Sequence, residues 1–162
     1  MNKTKKYAYL AVFCALAIVI NLVENIFIPP LSFGIRFGLA NIISLITLKL
    51  MGVKEMCLVL LLRLTLGNLL NGTIFGTPFW ISSLGIILSA IIIIILNKLN
   101  ASIIFTSMMS SIFHTLGQVI VVCYIYGEIN IMVLLPVLII SSLATGILTG
   151  LLSLEVIKRI KL

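Results

Sequence analysis

Apolar residues run through this chain in long blocks rather than in alternation, and short polar or turn-forming connectors separate the blocks. A helix that crosses the hydrocarbon of a bilayer needs about 20 apolar residues, with a range of roughly 17 to 25. Six segments meet or approach that length: 7–28, 37–51, 54–70, 78–96, 101–126 and 131–157. Pro29 and Pro30 end the first, because proline has no N–H to donate and disfavours helix in the residue before it. Gly52 separates the second from the third, NGTIFGTP (71–78) precedes the fourth, NKLN (97–100) follows it, and GEIN (127–130) divides the last two. The pattern predicts an all-α integral membrane protein, a single domain over 1–162 with six transmembrane helices. The amino terminus starts like a secretory signal, with Lys3, Lys5 and Lys6 before an apolar stretch. That stretch is longer than a signal core and lacks a small-residue cleavage site, so a retained first helix is expected.

Composition agrees. Hydrophobic residues make up 62% of the 162 positions and charged residues 9%, against about 25% charged in a soluble domain. The net charge of +7 is not gathered with aromatics on one face, so no nucleic-acid partner is expected. With the amino terminus inside and six crossings, Lys3, Lys5, Lys6, Lys49, Lys54, Lys98, Lys158, Arg159 and Lys161 fall on the inner side. This is the positive-inside bias, and it predicts a multi-pass protein of the cytoplasmic membrane with both termini cytoplasmic. Trp80, at the outer end of the fourth segment, reads as an interfacial anchor. Cys14, Cys57 and Cys123 lie in apolar segments without metal-ligand spacing and read as reduced fillers.

Arg36 and Arg63 do not fit the charge bias. An ionisable side chain within a span costs about 2.5 to 3.5 kcal/mol on insertion scales and ordinarily faces the bundle interior. Arg63 lies about 14 Å along its helix from Lys54. Ser107, Ser111, His114 and Gln118, spaced 4, 3 and 4, form a polar stripe on one face of the fifth helix. The first helix carries Asn21, Glu24 and Asn25, the second opens with Arg36, Asn41 and Ser44, and the third ends with Asn68 and Asn71. Polar groups thus concentrate in the outer half, which suggests an outward-opening pocket lined by Glu24, Arg36, Asn41, Arg63, Asn68, His114 and Gln118. Two arginines against one glutamate favour an anionic or hydrogen-bond-rich small molecule. The alternative is that these groups pair with one another, Glu24 with Arg63 for instance, and only join helices. Small residues form a second pattern: Ala11 and Ala15 on the first helix, and Ser142, Gly146 and Gly150 on the sixth, have the spacing that lets helix backbones approach closely.

RFGLANIISL (36–45), LLRLTLGNLLNG (61–72) and FHTLGQ (113–118) resemble the signature stretches of a bacterial membrane family labelled both heptaprenyl diphosphate synthase component I and Gx transporter. The residue after the histidine, often asparagine in that family, is Thr115 here. The family is in turn similar to the substrate-binding S components of energy-coupling factor (ECF) transporters. That resemblance implies a six-helix bundle with an outward pocket capped by the loop 28–38. It also implies that Ala11 and Ala15 dock a transmembrane coupling subunit that works with an ATPase pair. The synthase label implies instead a non-catalytic accessory subunit linked to heptaprenyl diphosphate or quinone biosynthesis. Prenyl diphosphate synthases hold magnesium and diphosphate on clustered aspartates, since hard cations need carboxylate oxygens. This chain has no aspartate and only Glu24, Glu55, Glu128 and Glu155, so it cannot build that site. No enzymatic activity, metal or cofactor is expected, and no glycine-rich phosphate loop is present to couple the chain to ATP.

Overall fold

The computed structural model describes residues 3–27, Leu39 and residues 41–160. The described chain is all-helical: α1 (Lys3–Phe27), α2 (Asn41–Met51), α3 (Val53–Leu70), α4 (Thr77–Lys98), α5 (Ile103–Tyr126), a short 3-10 helix (Ile129–Leu134) and α6 (Leu135–Arg159). The boundaries follow local chemistry. Gly52, at φ 111°, breaks α2 from α3 in a backbone region that favours glycine. Pro78 and Pro136 sit in the first turns of α4 and α6, where a missing N–H costs nothing. The Ser102 hydroxyl accepts the Phe105 N–H at 3.2 Å to cap α5, which ends at the left-handed Gly127.

α1, α4, α5 and α6 are long and apolar enough to cross a membrane. The other two differ. α2 has 11 residues, about 16 Å of helix, or roughly half the hydrocarbon thickness. α3 has 18 residues but carries Lys54, Glu55 and Arg63. The apolar surface also speaks for a bilayer. Leu16, Val19, Ile87, Ile91, Ile95, Val137 and Ile140 are all exposed, a density of outward aliphatic side chains that water would not tolerate.

Side-chain pairs set the helix directions. Lys6 ion-pairs with Glu55 near the starts of α1 and α3, and Asn21 packs against Gly67 farther along both, so α1 and α3 run parallel. α2 runs back between them, with Asn41 bonded to Arg63, and Leu48 in one core cluster with Met56. Gly85 of α4 meets His114 and Gln118, while Gly146 and Gly150 of α6 meet Met108 and Ile104, so α5 is antiparallel to both neighbours. One end of the bundle therefore collects the lysines. There Lys6 meets Glu55, Lys49 donates to Asn97 Oδ1 at 3.0 Å, and Arg159 pairs with Glu155. Among the described residues, Arg63 is the basic residue that stands apart from that end.

Short as it is, α2 is central. Seven of its eleven residues are buried: Asn41, Ile43, Ser44, Leu45, Ile46, Thr47 and Leu48. Ile43 and Ile46 join Leu10, Phe13, Cys14, Ala17 and Val59 in a core shared with α1 and α3, while Leu45 and Leu48 join Met56, Leu60, Ile86 and Ile93. From α6, the Ser153 hydroxyl reaches the Ile42 carbonyl at 3.4 Å.

Candidate functional site

Six of the seven predicted pocket residues fall in the described part of the chain, and all six are buried: Glu24, Asn41, Arg63, Asn68, His114 and Gln118. Arg36 and the loop 28–38 lie outside the described residues. The buried groups gather in two places and at one turn.

The first group surrounds the start of α2. The Leu39 N–H, two residues ahead of the helix, donates to Glu24 Oε2 at 3.1 Å. Asn41, the first residue of α2, accepts at Oδ1 from Arg63 Nη1 at 3.1 Å. A hydrogen bond to a charged donor is worth roughly 1.5–3 kcal/mol, more than a neutral pair, so it fixes the register of α2 against α3. Asn41 Nδ2 and Ser44 Oγ, three residues apart and so on one face, are buried and have no hydrogen-bond partner among the described residues. In the interior of the bundle an acid from α1 thus holds the chain two residues ahead of α2, and a guanidinium from α3 holds the first residue of α2.

The second group lies between α4 and α5. His114 and Gln118, one turn apart, place their Nε2 atoms 3.1 Å from each other. In this amide orientation Gln118 donates and the ring nitrogen accepts, which puts the ring proton on Nδ1. Both residues lie against Gly85: a Cβ there would come within 2.9 Å of the His114 carbonyl, 3.0 Å of its Nδ1 and 3.1 Å of Gln118 Cγ. The rest of the predicted stripe turns toward α6, where Ser107 Oγ and Thr149 Oγ1 share a hydrogen bond of 2.8 Å.

Asn68 has a local task. Its Nδ2 donates to the Leu64 carbonyl at 2.7 Å and its Oδ1 accepts from the Thr73 hydroxyl at 3.0 Å, which closes the end of α3 and the turn after it. Ala11 and Ala15 are exposed along α1, whereas Leu10, Phe13, Cys14 and Ala17 turn inward.

Among the described residues, cavities open at the surface in two places, and the linings of these two include none of the six buried residues. One, of about 560 Å³, lies by Tyr126, Glu128 and Asn130 at the turn between α5 and α6. The other, of about 480 Å³, is apolar and lies between Trp80, Leu84, Val121 and Tyr124. Among the described residues no three histidine, cysteine or acidic side chains gather as a metal site would require.

Sequence reasoning missed three participants: the Leu39 N–H, Thr73 and Gly85. A main-chain donor leaves no compositional trace. Gly85 had one, because glycine inside a helix costs about 1 kcal/mol against alanine and so signals close packing.

The family model described as heptaprenyl diphosphate synthase component I matches residues 13–156, nearly the whole chain. The chain belongs to that family. No curated protein and no solved structure matches it. The match spans both polar groups, from Glu24 on α1 to Gln118 on α5, and both tight contacts of α6 with α5.

Proposed function

We propose that the chain is the membrane-embedded, small-molecule-binding subunit of an ECF-type uptake transporter, taking its ligand from the extracellular side. In this reading the bundle lies in the cytoplasmic membrane with six crossings and both termini cytoplasmic. The lysine-rich end faces the cytoplasm. The observation that carries the proposal is the interior meeting of Glu24, Arg63 and the start of α2. An ionisable side chain in a span costs about 2.5 to 3.5 kcal/mol, at least as much as the roughly 1.5–3 kcal/mol that one hydrogen bond to a charged donor returns, whereas a ligand gives the guanidinium and the carboxylate a use. The exposure of Ala11 and Ala15 supports the partner assignment, since a row of small residues open on α1 suits close approach by a helix of a coupling subunit.

A second reading follows from the family description, which names one component of a synthase. Here the chain is a non-catalytic membrane accessory to heptaprenyl diphosphate formation, and its polar groups meet a lipid head group. Co-purification separates the two. Recovery of a coupling subunit and an ATPase pair supports transport, and recovery of a prenyl synthase supports the accessory role. A scaffold with no ligand predicts that Arg63→Ala and His114→Ala lower thermal stability while the surviving protein works normally.

A further inference from the structure

We propose that the first turn of α2 anchors a carboxylate of the ligand, held by Asn41 Nδ2, Ser44 Oγ and the charge of Arg63. This rests on the small-molecule-binding reading and names the chemical class that the site would take.

Four features of this one place support it. α2 begins inside the bundle rather than at its surface, level with Arg63, which lies about 14 Å along α3 from the lysine-rich end. The Ile42 N–H of this turn is taken by the Leu39 carbonyl at 3.1 Å, but a helix N-terminus still carries roughly half a positive charge. Half-helices that start at mid-membrane and aim this end at an anionic group are a recognised way to bind one. Next, Asn41 and Ser44, both fully buried, present an amide N–H₂ and a hydroxyl on the same face of that turn, and neither group has a partner among the described residues. Buried polar groups are ordinarily satisfied and costly to leave unmet, so an acceptor is what the site lacks. Arg63 is aligned on the same residue by its bond to Asn41 Oδ1. Lastly, Glu24 is engaged by the Leu39 N–H and is not the partner of either orphan group. Its negative charge offsets that of Arg63, which favours a singly charged carboxylate over a doubly charged phosphate.

The test is thermal unfolding of the full-length chain in detergent, at constant ionic strength, with millimolar acetate, inorganic phosphate or the neutral isostere acetamide. Acetate is expected to raise the wild-type Tm by roughly 2–4 °C, and acetamide and phosphate by less. Asn41→Asp keeps an acceptor for Arg63 and therefore the fold, but sets a negative charge against the ligand. It is expected to abolish the acetate response. Ser44→Ala, which replaces an unpartnered hydroxyl, is expected to fold at least as well and to weaken that response. An equal response to acetamide overturns the requirement for charge, and a larger response to phosphate overturns the preference for carboxylate. An acetate response that survives in Asn41→Asp overturns the assigned place. If nothing shifts the wild-type Tm, the inference fails. In that case mass spectrometry of small molecules retained by the purified protein decides the wider reading, which stands if one is recovered and falls with the inference if none is.

Discussion

Gly85 and Gly117 meet backbone to backbone: a Cβ built on Gly117 would lie 2.8 Å from both the Cα and the N of Gly85. This contact sets the distance between α4 and α5, and with it the seat of His114 and Gln118.

Gly117→Ala is therefore expected to push the two helices apart. The obstructing atoms are main chain, which cannot rotate away, so the cost lies at or above the usual overpacking range of about 1–3 kcal/mol. Thermal unfolding in detergent reads it. Gly72→Ala, at a glycine with no atom within 4 Å of the added carbon, carries only the strain of its φ of 65° and is expected to cost less. Equal losses in the two variants would remove the argument for a tight crossing.

Removing Arg63 leaves the Asn41 acceptor buried without this donor, and removing Asn41 takes this acceptor from Nη1. A double-mutant cycle with Arg63→Met and Asn41→Leu is expected to give a coupling of roughly 1.5–3 kcal/mol, as for a hydrogen bond to a charged group. A value near the intramembrane average of about 0.6 kcal/mol would show that the pair contributes no more than an ordinary polar contact.

How much of this the sequence reveals depends on the kind of residue involved. Helix ends were legible because the residues that stop helices, Gly52, Pro78 and Gly127, act through their own backbones. The pairing of His114 with Gln118 was legible because four-residue spacing places them together on any helix. Three features were not. α2 reads as a short span, and its burial on nearly all sides comes from neighbours far away in the chain. The bond of the Asn68 oxygen to Thr73 is made by a turn whose path composition does not specify. The Gly85 and Gly117 contact pairs single glycines on different helices, and no spacing rule within one helix exposes it.

Ala11→Leu adds bulk to an open face of α1 without entering the core. Its stability is expected to remain within about 0.5 kcal/mol of wild type, as for surface changes, while recovery of a coupling subunit on co-purification falls sharply. Undiminished recovery would remove α1 as the docking helix.

Charge segregation gives a topological prediction. In a cysteine-free background, cysteine placed at Asn100, beside the lysine-rich end, is expected to react with a membrane-impermeant maleimide only from the cytoplasmic side. Cysteine at Glu128, at the opposite end of α5, is expected to react only from outside. Labelling of both from the same side would contradict the proposed orientation.

The central claim is that the buried meeting of Glu24, Asn41 and Arg63 serves a ligand. It is tested most directly by mass spectrometry of small molecules carried through gentle purification by wild type and by Asn41→Asp, at matched yield and thermal stability. The account predicts a molecule bearing a carboxylate in the wild type, depleted at least tenfold in the variant, which corresponds to about 1.4 kcal/mol of binding. The same molecule at the same occupancy in both proteins, or none in the wild type, would contradict it.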